Sequence, residues 1–243
     1  MKETDQSRHA TFSSSSAWKL MTNNKKGEAF GAPGLKYIKQ VNLEIKLGRA
    51  LTCEREARST SWGDFCEIYV FNILDLSYRN VTDFRYFHPD VKAWSGKPDV
   101  IKAETVGDVK APFNLEVFCD KIGALESGIH KYREEFPDDY YQHVSNAILL
   151  NANDLKVTHF EAIIYTPFRS ELDDIRATAM KSEERFKWIA FANDDELPWV
   201  PDGGYYKNLN TYRFEIPQED KIALHNRVVE AGKMLITPKL IPA

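Results

Sequence analysis

The stretch from Gly96 to Pro112 limits the fold of this chain more than any other, because it is predicted to form a charged hairpin. Two short strands are expected there, Asp99–Lys102 and Thr105–Ala111, joined by a turn near Ala103 and Glu104. A hairpin of this kind needs further strands or helices against one face to be stable. The chain should therefore be organised around it.

The length of the turn decides which charged residues of the hairpin face each other. If the turn has two residues, Asp99 lies directly across from Asp108, with the Cβ atoms ~5 Å apart. Asp108 and Lys110 share one face of the second strand, and Val109 points into the core. Facing carboxylates are destabilising unless a positive charge lies between them, and a divalent cation prefers such oxygens. A lysine beside that cation is placed to orient a nucleophile.

Pro98-Asp99 followed by Asp108-Val109-Lys110 resembles the signature of the PD-(D/E)XK nuclease superfamily. The resemblance implies an α/β fold of the restriction-endonuclease-like type, with a mixed central sheet flanked by helices. It implies that Asp99, Asp108 and the backbone carbonyl of Val109 bind Mg²⁺, for which Mn²⁺ can substitute. Lys110 would orient the attacking water. The family usually has Glu where this chain has Asp108, which shortens the reach by one methylene.

The same letters occur a second time, at Pro89-Asp90-Val91-Lys92. No second strand separates the two halves there, so we prefer the later set. An ordinary solvated hairpin with charges on its open face is the alternative interpretation of the later set.

Glu67 is a candidate site residue because it lies on an apolar helix, predicted from Trp62 to Leu76 after the capping residues Ser59–Ser61. A carboxylate near the core needs a partner or a metal. The resemblance implies that a glutamate on the helix before the sheet reaches toward the metal centre through water, and Glu67 fits that place. A boundary glutamate paired to a lysine is the alternative.

The elements after the hairpin make the resemblance more specific, to one branch of the superfamily. They are a predicted helix, Asp138–Leu150, and a predicted strand, Val157–Tyr165. By order and spacing over residues 59–167, the chain resembles the branch of lambda exonuclease and the YqaJ-like viral recombinases. That branch carries a Tyr-x-x-Gln-like helix after the hairpin. Gln142 would be the matching residue, supporting Lys110 or the attacking water. An exposed polar residue on a helix is the alternative for Gln142.

The serine run Ser13, Ser14, Ser15 and Ser16 precedes an apolar segment, which is typical of a helix N-terminus. Helix N-termini bind phosphate, so these serines are candidate contacts to a DNA backbone. Plain capping is the alternative. Residues 1–10 form a polar tail that we expect to be mobile.

Composition restricts the class of protein. At 243 residues the chain can fold as a single nuclease-like domain over 1–243, and a net charge of −4 argues against a large nonspecific electrostatic footprint. Cys53, Cys66 and Cys119 are widely spaced without a CxxC pair, which indicates reduced thiols in a cytoplasmic protein. No apolar stretch is long enough for a membrane span, and the histidines lack zinc-ligand spacing.

The remaining elements are predicted from periodicity and turn residues. They are helices at Leu35–Leu47, Leu115–Ile122, Glu171–Glu184 and Pro217–Leu235, strands at Arg185–Phe191 and Thr211–Ile216, and one strand at either Phe84–Phe87 or Val91–Trp94.

The expected function is Mg²⁺-dependent hydrolysis of DNA phosphodiesters, acting as an exonuclease on duplex ends in phage-type recombination or DNA processing. The resemblance also implies a ring-shaped homo-oligomer and a single-strand annealing protein as a partner. One rival is a nuclease fold that binds nucleic acid or protein without cutting. Another is a different metal-dependent hydrolase or a structural phage protein. The acidic pair with Lys110 argues against the first rival.

Overall fold

The computed structural model of the protein describes residues 9–23, 29–51 and 57–236. Most of the polar tail and Cys53 lie outside these ranges. Within the described ranges, no helix has the length and apolar character needed to cross a membrane.

The strands form two sheets. In chain order they are β1 (Phe12–Ser13), β2 (Arg79–Asn80), β3 (Tyr86–Phe87), β4 (Trp94–Gly96), β5 (Val100–Lys102), β6 (Thr105–Lys110), β7 (His159–Tyr165) and β8 (Leu209–Glu215). The main sheet has the order β2-β5-β6-β7-β8, and the smaller one has the order β1-β4-β3. Because β6 and β7 are parallel while the other neighbours in the main sheet are antiparallel, the central sheet is mixed, as predicted.

Helices cover both faces of the main sheet. They are α1 (Ala32–Leu47), α2 (Arg58–Phe71), α3 (Leu115–Glu126), α4 (Ile129–Glu135), α5 (Pro137–Asn151), α6 (Leu172–Lys181), α7 (Lys187–Phe191) and α8 (Gln218–Lys233). Val109 and Ile163 pack against α2, α6 and α7, whereas Val106 and Phe160 pack against α3, α5 and α8. The predicted helices are present with shifted ends, and the α/β fold class is confirmed.

The predicted strand at Arg185–Phe191 is wrong. Glu184–Phe186 is a 3-10 helix that continues directly into α7. Phe186 and Ile189 are three residues apart and both fully buried, which is the spacing of one helical face. The alternation of polar and apolar letters in this short segment is compatible with either period, and packing of the two side chains decided between them.

Both alternatives for the strand before the hairpin contribute to the structure. β3 lies within the first predicted range, and β4 begins at Trp94, at the end of the second. They pair antiparallel, with Phe87 opposite Ser95. β4 leads directly into Pro98 and Asp99, so the smaller sheet determines where the hairpin begins.

A candidate nuclease active site

The register of the hairpin brings the two predicted aspartates together. Lys102 lies opposite Thr105 and Val100 opposite Gly107, which leaves a two-residue turn and makes Asp99 and Asp108 the next facing pair. Oδ2 of Asp99 accepts a hydrogen bond of 2.7 Å from the amide of Val109. This bond connects the start of β5 to the end of β6 and fixes the Asp99 side chain beside Asp108.

Gly107 allows the two strands to approach closely at this point. A Cβ atom at Gly107 would lie only 2.6 Å from Cγ2 of Val100 on the facing strand. A larger residue would force the Val100 side chain or β5 itself to shift, next to the facing carboxylates. The glycine is therefore a packing requirement of the site.

Asp108, Lys110 and Gln142 form a closed triangle of contacts. The ammonium of Lys110 lies 2.6 Å from Oδ2 of Asp108 and donates a hydrogen bond of 3.1 Å to Oε1 of Gln142. Nε2 of Gln142 donates a hydrogen bond of 2.6 Å to Oδ1 of Asp108. Asp108 is almost completely buried. The triangle joins β6 to α5 and places Gln142 in contact with Lys110, whereas the role of Gln142 in catalysis stays a prediction.

Glu67 projects from α2 into the electrostatic field of the triangle. Burial raises the pKa of Glu67 to about 7, with further contributions from Asp108 and Asp64, and Lys110 acts in the opposite direction.

The helix that carries Glu67, α2, begins at Arg58 and ends at Phe71, earlier than predicted at both ends. It ends because the amides of Ile73 and Leu74 turn back onto the carbonyl of Val70.

Three carboxylates, those of Glu67, Asp99 and Asp108, share this region. Burial, Asp108 and Glu67 raise the pKa of Asp99 well above its ordinary value. Burial lowers the pKa of Lys110, but Asp108, Asp139 and Asp99 outweigh it and raise that pKa above its ordinary value. The lysine is therefore an ammonium ion, and it is the charge that offsets the acidic groups.

Within the described ranges, no three His, Cys, Asp or Glu side chains converge with metal-ligand geometry. Lys110 contacts Oδ2 of Asp108 and Gln142 contacts Oδ1 of the same carboxylate, while the Val109 amide contacts Asp99. The donor chemistry nevertheless fits a hard divalent cation, because the groups are carboxylates and a backbone carbonyl. Peptide N–H and C=O of one strand residue point to the same side, so the Val109 carbonyl faces the edge where Asp99 lies.

The sequence interpretation missed three residues beside the triangle: Asp139, Lys121 and His143. Asp139 lies 3.8 Å from the ammonium of Lys110 and pairs with Lys121, and all three missed side chains are buried. Burial lowers the pKa of His143 to about 4, so its imidazole is neutral. Asp139 precedes Gln142 by three residues on α5, and that spacing was the available signal. Asp139 occupies the position at which the resemblance leads one to expect Tyr.

The serine run packs against α5, the helix that carries Gln142. Ser14–Met21 is a 3-10 helix, and Ser13 and Ser14 are buried. Ser14 shares a hydrogen bond of 2.9 Å with Ser145 of α5, and the Ser13 amide donates one of 2.7 Å to the hydroxyl of Tyr37. No side-chain cap is formed by Ser13. Ser15 is exposed and Ser16 half-buried, so only these two remain accessible for the predicted contact to phosphate.

Solved structures with the same architecture are nucleases. LHK-Exo in complex with dAMP superposes with a TM-score of 0.61 at 13% identity, over 96% of this chain and 92% of that one. A second structure of the same alkaline exonuclease, from Laribacter hongkongensis, gives 0.58 at 13% identity over 93% and 89% of the two chains. The chain has the fold of these exonucleases.

A phage-related exonuclease from Haemophilus somnus 129PT extends the likeness, with a TM-score of 0.55 at 12% identity over 93% of each chain. The resemblance to the lambda-exonuclease and YqaJ-like branch is therefore confirmed at the level of the fold. Protein-family models and curated proteins gave no match to the sequence.

Proposed function

We propose that this chain is a metal-dependent DNA phosphodiesterase that digests duplex DNA from its ends. The observation that carries the proposal is the bridge made by Gln142, whose amide contacts both Asp108 and Lys110. An amide that donates to the carboxylate of Asp108 and accepts from the ammonium of Lys110 orients both groups with one side chain. A solvated surface hairpin would have no reason to bury such an arrangement.

Asp99, Asp108 and the carbonyl of Val109 would hold the cation, and Glu67 would contribute through a water. Mg²⁺ is the expected ion, because hard carboxylate and carbonyl oxygens suit it, and Mn²⁺ should substitute. Such an ion supplies Lewis-acid stabilisation of the charge that develops on a phosphate. The carboxylates of Asp99 and Asp108 face each other, and the ammonium of Lys110 offsets part of their charge.

Lys110 has the geometry of a hydrogen-bond donor that positions a water. Its ammonium is held by Asp108 and Gln142, and its side chain is 25% exposed, so the side chain is accessible to solvent. As an ammonium ion it is suited to orienting the nucleophile and to stabilising negative charge, and it is not suited to acting as a general base. Gln142 prevents the lysine from rotating away.

Action on DNA ends is supported by the structures that share the fold. Two are described as exonucleases, and LHK-Exo was solved with dAMP, a single nucleotide of DNA. We extend action on DNA ends to this chain on that basis, and the choice of duplex ends rests on the sequence resemblance. A ring-shaped homo-oligomer and a single-strand annealing partner belong to the same proposal, in phage-type recombination.

The test compares linear and covalently closed circular duplex DNA, each incubated with the protein in Mg²⁺ and in chelator. Release of nucleotides from the linear substrate alone, and only with Mg²⁺, supports the proposal. Equal cutting of both substrates would contradict the exonuclease mode. No cutting of either would contradict the enzyme and leave a nuclease fold that serves as a binding module.

A further inference from the structure

A second acid–lysine pair lies next to Lys110 of the candidate site. Asp139 at the start of α5 forms an ion pair with Lys121 of α3, and each residue is only 7% exposed. The aromatic ring of Phe136 lies 4.3 Å from the ammonium of Lys121. Neither residue has a place in the mechanism described above.

The two oxygens of Asp139 are divided between two lysines. Oδ2 contacts Lys121, and Oδ1 lies 3.8 Å from the ammonium of Lys110. Lys110 therefore contacts Asp108 and Gln142 directly, whereas Asp139 is beyond hydrogen-bond distance at 3.8 Å and acts on the ammonium through its charge. One of the three N–H donors of the ammonium is thus left for a water. Each contact restricts a different direction of movement of the lysine head group.

Lys121 determines how strongly Asp139 attracts Lys110. An unpaired carboxylate in this position would compete with Asp108 for the catalytic ammonium. Paired with Lys121, Asp139 is already neutralised, and its contact with Lys110 is the longer one. The four groups Asp108, Lys110, Asp139 and Lys121 balance to zero formal charge.

Stability is a weak reason for such a pair. Buried ion pairs can usually be replaced by apolar residues without loss, because desolvation offsets the attraction between the charges. Asp139 also lies one helical turn before Gln142, so α5 presents two contacts to the same lysine. A common purpose for these contacts is to hold Lys110 in place.

We propose that Asp139, held by Lys121, is a positioning residue that fixes the ammonium of Lys110 between Asp108 and Gln142. The inference rests on the proposed nuclease function, in which Lys110 orients the attacking water. Substitution of Asp139 should change the turnover of DNA and not the binding of DNA, because Asp139 is buried next to Lys110 and does not lie at the surface. Contacts that orient a catalytic group from behind typically change activity 10–100-fold.

The main test is the double variant Asp139→Asn with Lys121→Met, which removes both charges and leaves neither one unpaired. We expect a melting temperature near that of the parent, an unchanged KM for linear duplex and a kcat lowered at least about tenfold. Asp139→Glu keeps the charge and should retain more kcat than the double variant. This conservative variant also serves as the test if the double variant does not fold.

The matched control is the pair Arg133 and Asp220, which is also a buried carboxylate with a cation. Arg133 contacts both oxygens of Asp220 at 2.9 Å, and the hydroxyl of Tyr140 on α5 donates to the same carboxylate. This pair therefore anchors the same helix without touching Lys110. Arg133→Met with Asp220→Asn should leave kcat unchanged.

Three results overturn the inference while leaving the proposed function intact. Parental kcat in the folded double variant shows that Asp139 does not position Lys110. An equal loss in the control pair shows that the effect is only anchoring of α5. A rise in KM with unchanged kcat assigns Asp139 to binding. A parent that cuts no DNA overturns the proposed function itself, and this inference with it.

Discussion

Pro-Asp followed by Val-Lys occurs in two places in this chain, at 89–92 and at 98–110, and the two copies lie in different surroundings. Asp90 and Lys92 are exposed in the connection between β3 and β4, where the amides of Asp90 and Val91 donate to Nδ1 of His88. Asp99 and Lys110 belong to a partly buried cluster with Asp108 and Gln142.

The two copies differ in the length of chain between Pro-Asp and Val-Lys, and this length decides whether the residues can form a site. In the first copy the acid and the lysine are two residues apart, and nothing brings a second carboxylate to them. In the second copy a hairpin separates the halves, so pairing of β5 with β6 places two carboxylates against one lysine. The first copy therefore provides matched control variants for the second.

The largest expected effect is on cleavage. Lys110→Ala should lower the rate of nucleotide release from linear duplex by at least about 100-fold, the cost of losing one charge-stabilising donor. Lys92→Ala should cut at the parental rate. DNA binding and the melting temperature in Mg²⁺ should stay close to those of the parent, because the cation can offset Asp108. Unchanged turnover by Lys110→Ala would disprove the mechanism.

A smaller difference is expected between two acidic residues of the cluster. Asp108→Asn should cost about ten times more activity than Glu67→Gln, if Glu67 acts through water while Asp108 is a direct ligand. The rates are compared at saturating Mg²⁺. An equal or larger loss at Glu67 would mean that it is a direct ligand.

The facing carboxylates make a prediction about stability. In chelator at pH 8, Asp99→Asn should raise the melting temperature by about 2–4 °C, the shift expected for ~1 kcal/mol of relieved repulsion in a chain of this size. Excess Mg²⁺ should stabilise the parent but have little effect on the variant.

Asp90→Asn is the control for this comparison, because Asp90 carries the same letters in an exposed position. Asp90→Asn should have the melting temperature of the parent both in chelator and in Mg²⁺, and it should therefore keep the response to Mg²⁺. A lower melting temperature for Asp99→Asn in chelator, or an equal gain from Mg²⁺ in all proteins, would place the acidic pair elsewhere.

The smallest expected effect is a pH dependence of Glu67. Its pKa is raised to about 7 in the folded protein by burial, Asp108 and Asp64, above the ordinary value of ~4.3. The parent therefore has the full stability of a protonated Glu67 below that ordinary value and loses it as the pH rises through about 7. In chelator, the gain in melting temperature of Glu67→Gln should be larger at pH 8 than at pH 5. An equal gain at both pH values would argue against the raised pKa.

Local patterns were sufficient for the hairpin, because its register depends on residues adjacent in the chain. The turn at Ala103 and Glu104 fixes which residues face each other, and a period of two then assigns each side chain to a face. The helix that carries Gln142 was predictable for the same reason. The segment Arg185–Phe191 was not, because so short a pattern fits either a helix or a strand.

The sequence by itself determined the hairpin, the facing pair Asp99 and Asp108, and the side of β6 on which Lys110 lies. Only the tertiary structure decided that Gln142 bridges Asp108 and Lys110, and that Asp139 and Lys121 stand behind them. These contacts join residues 18 to 34 positions apart on separate elements. No short-range period encodes them, because they depend on how α3 and α5 pack against the sheet.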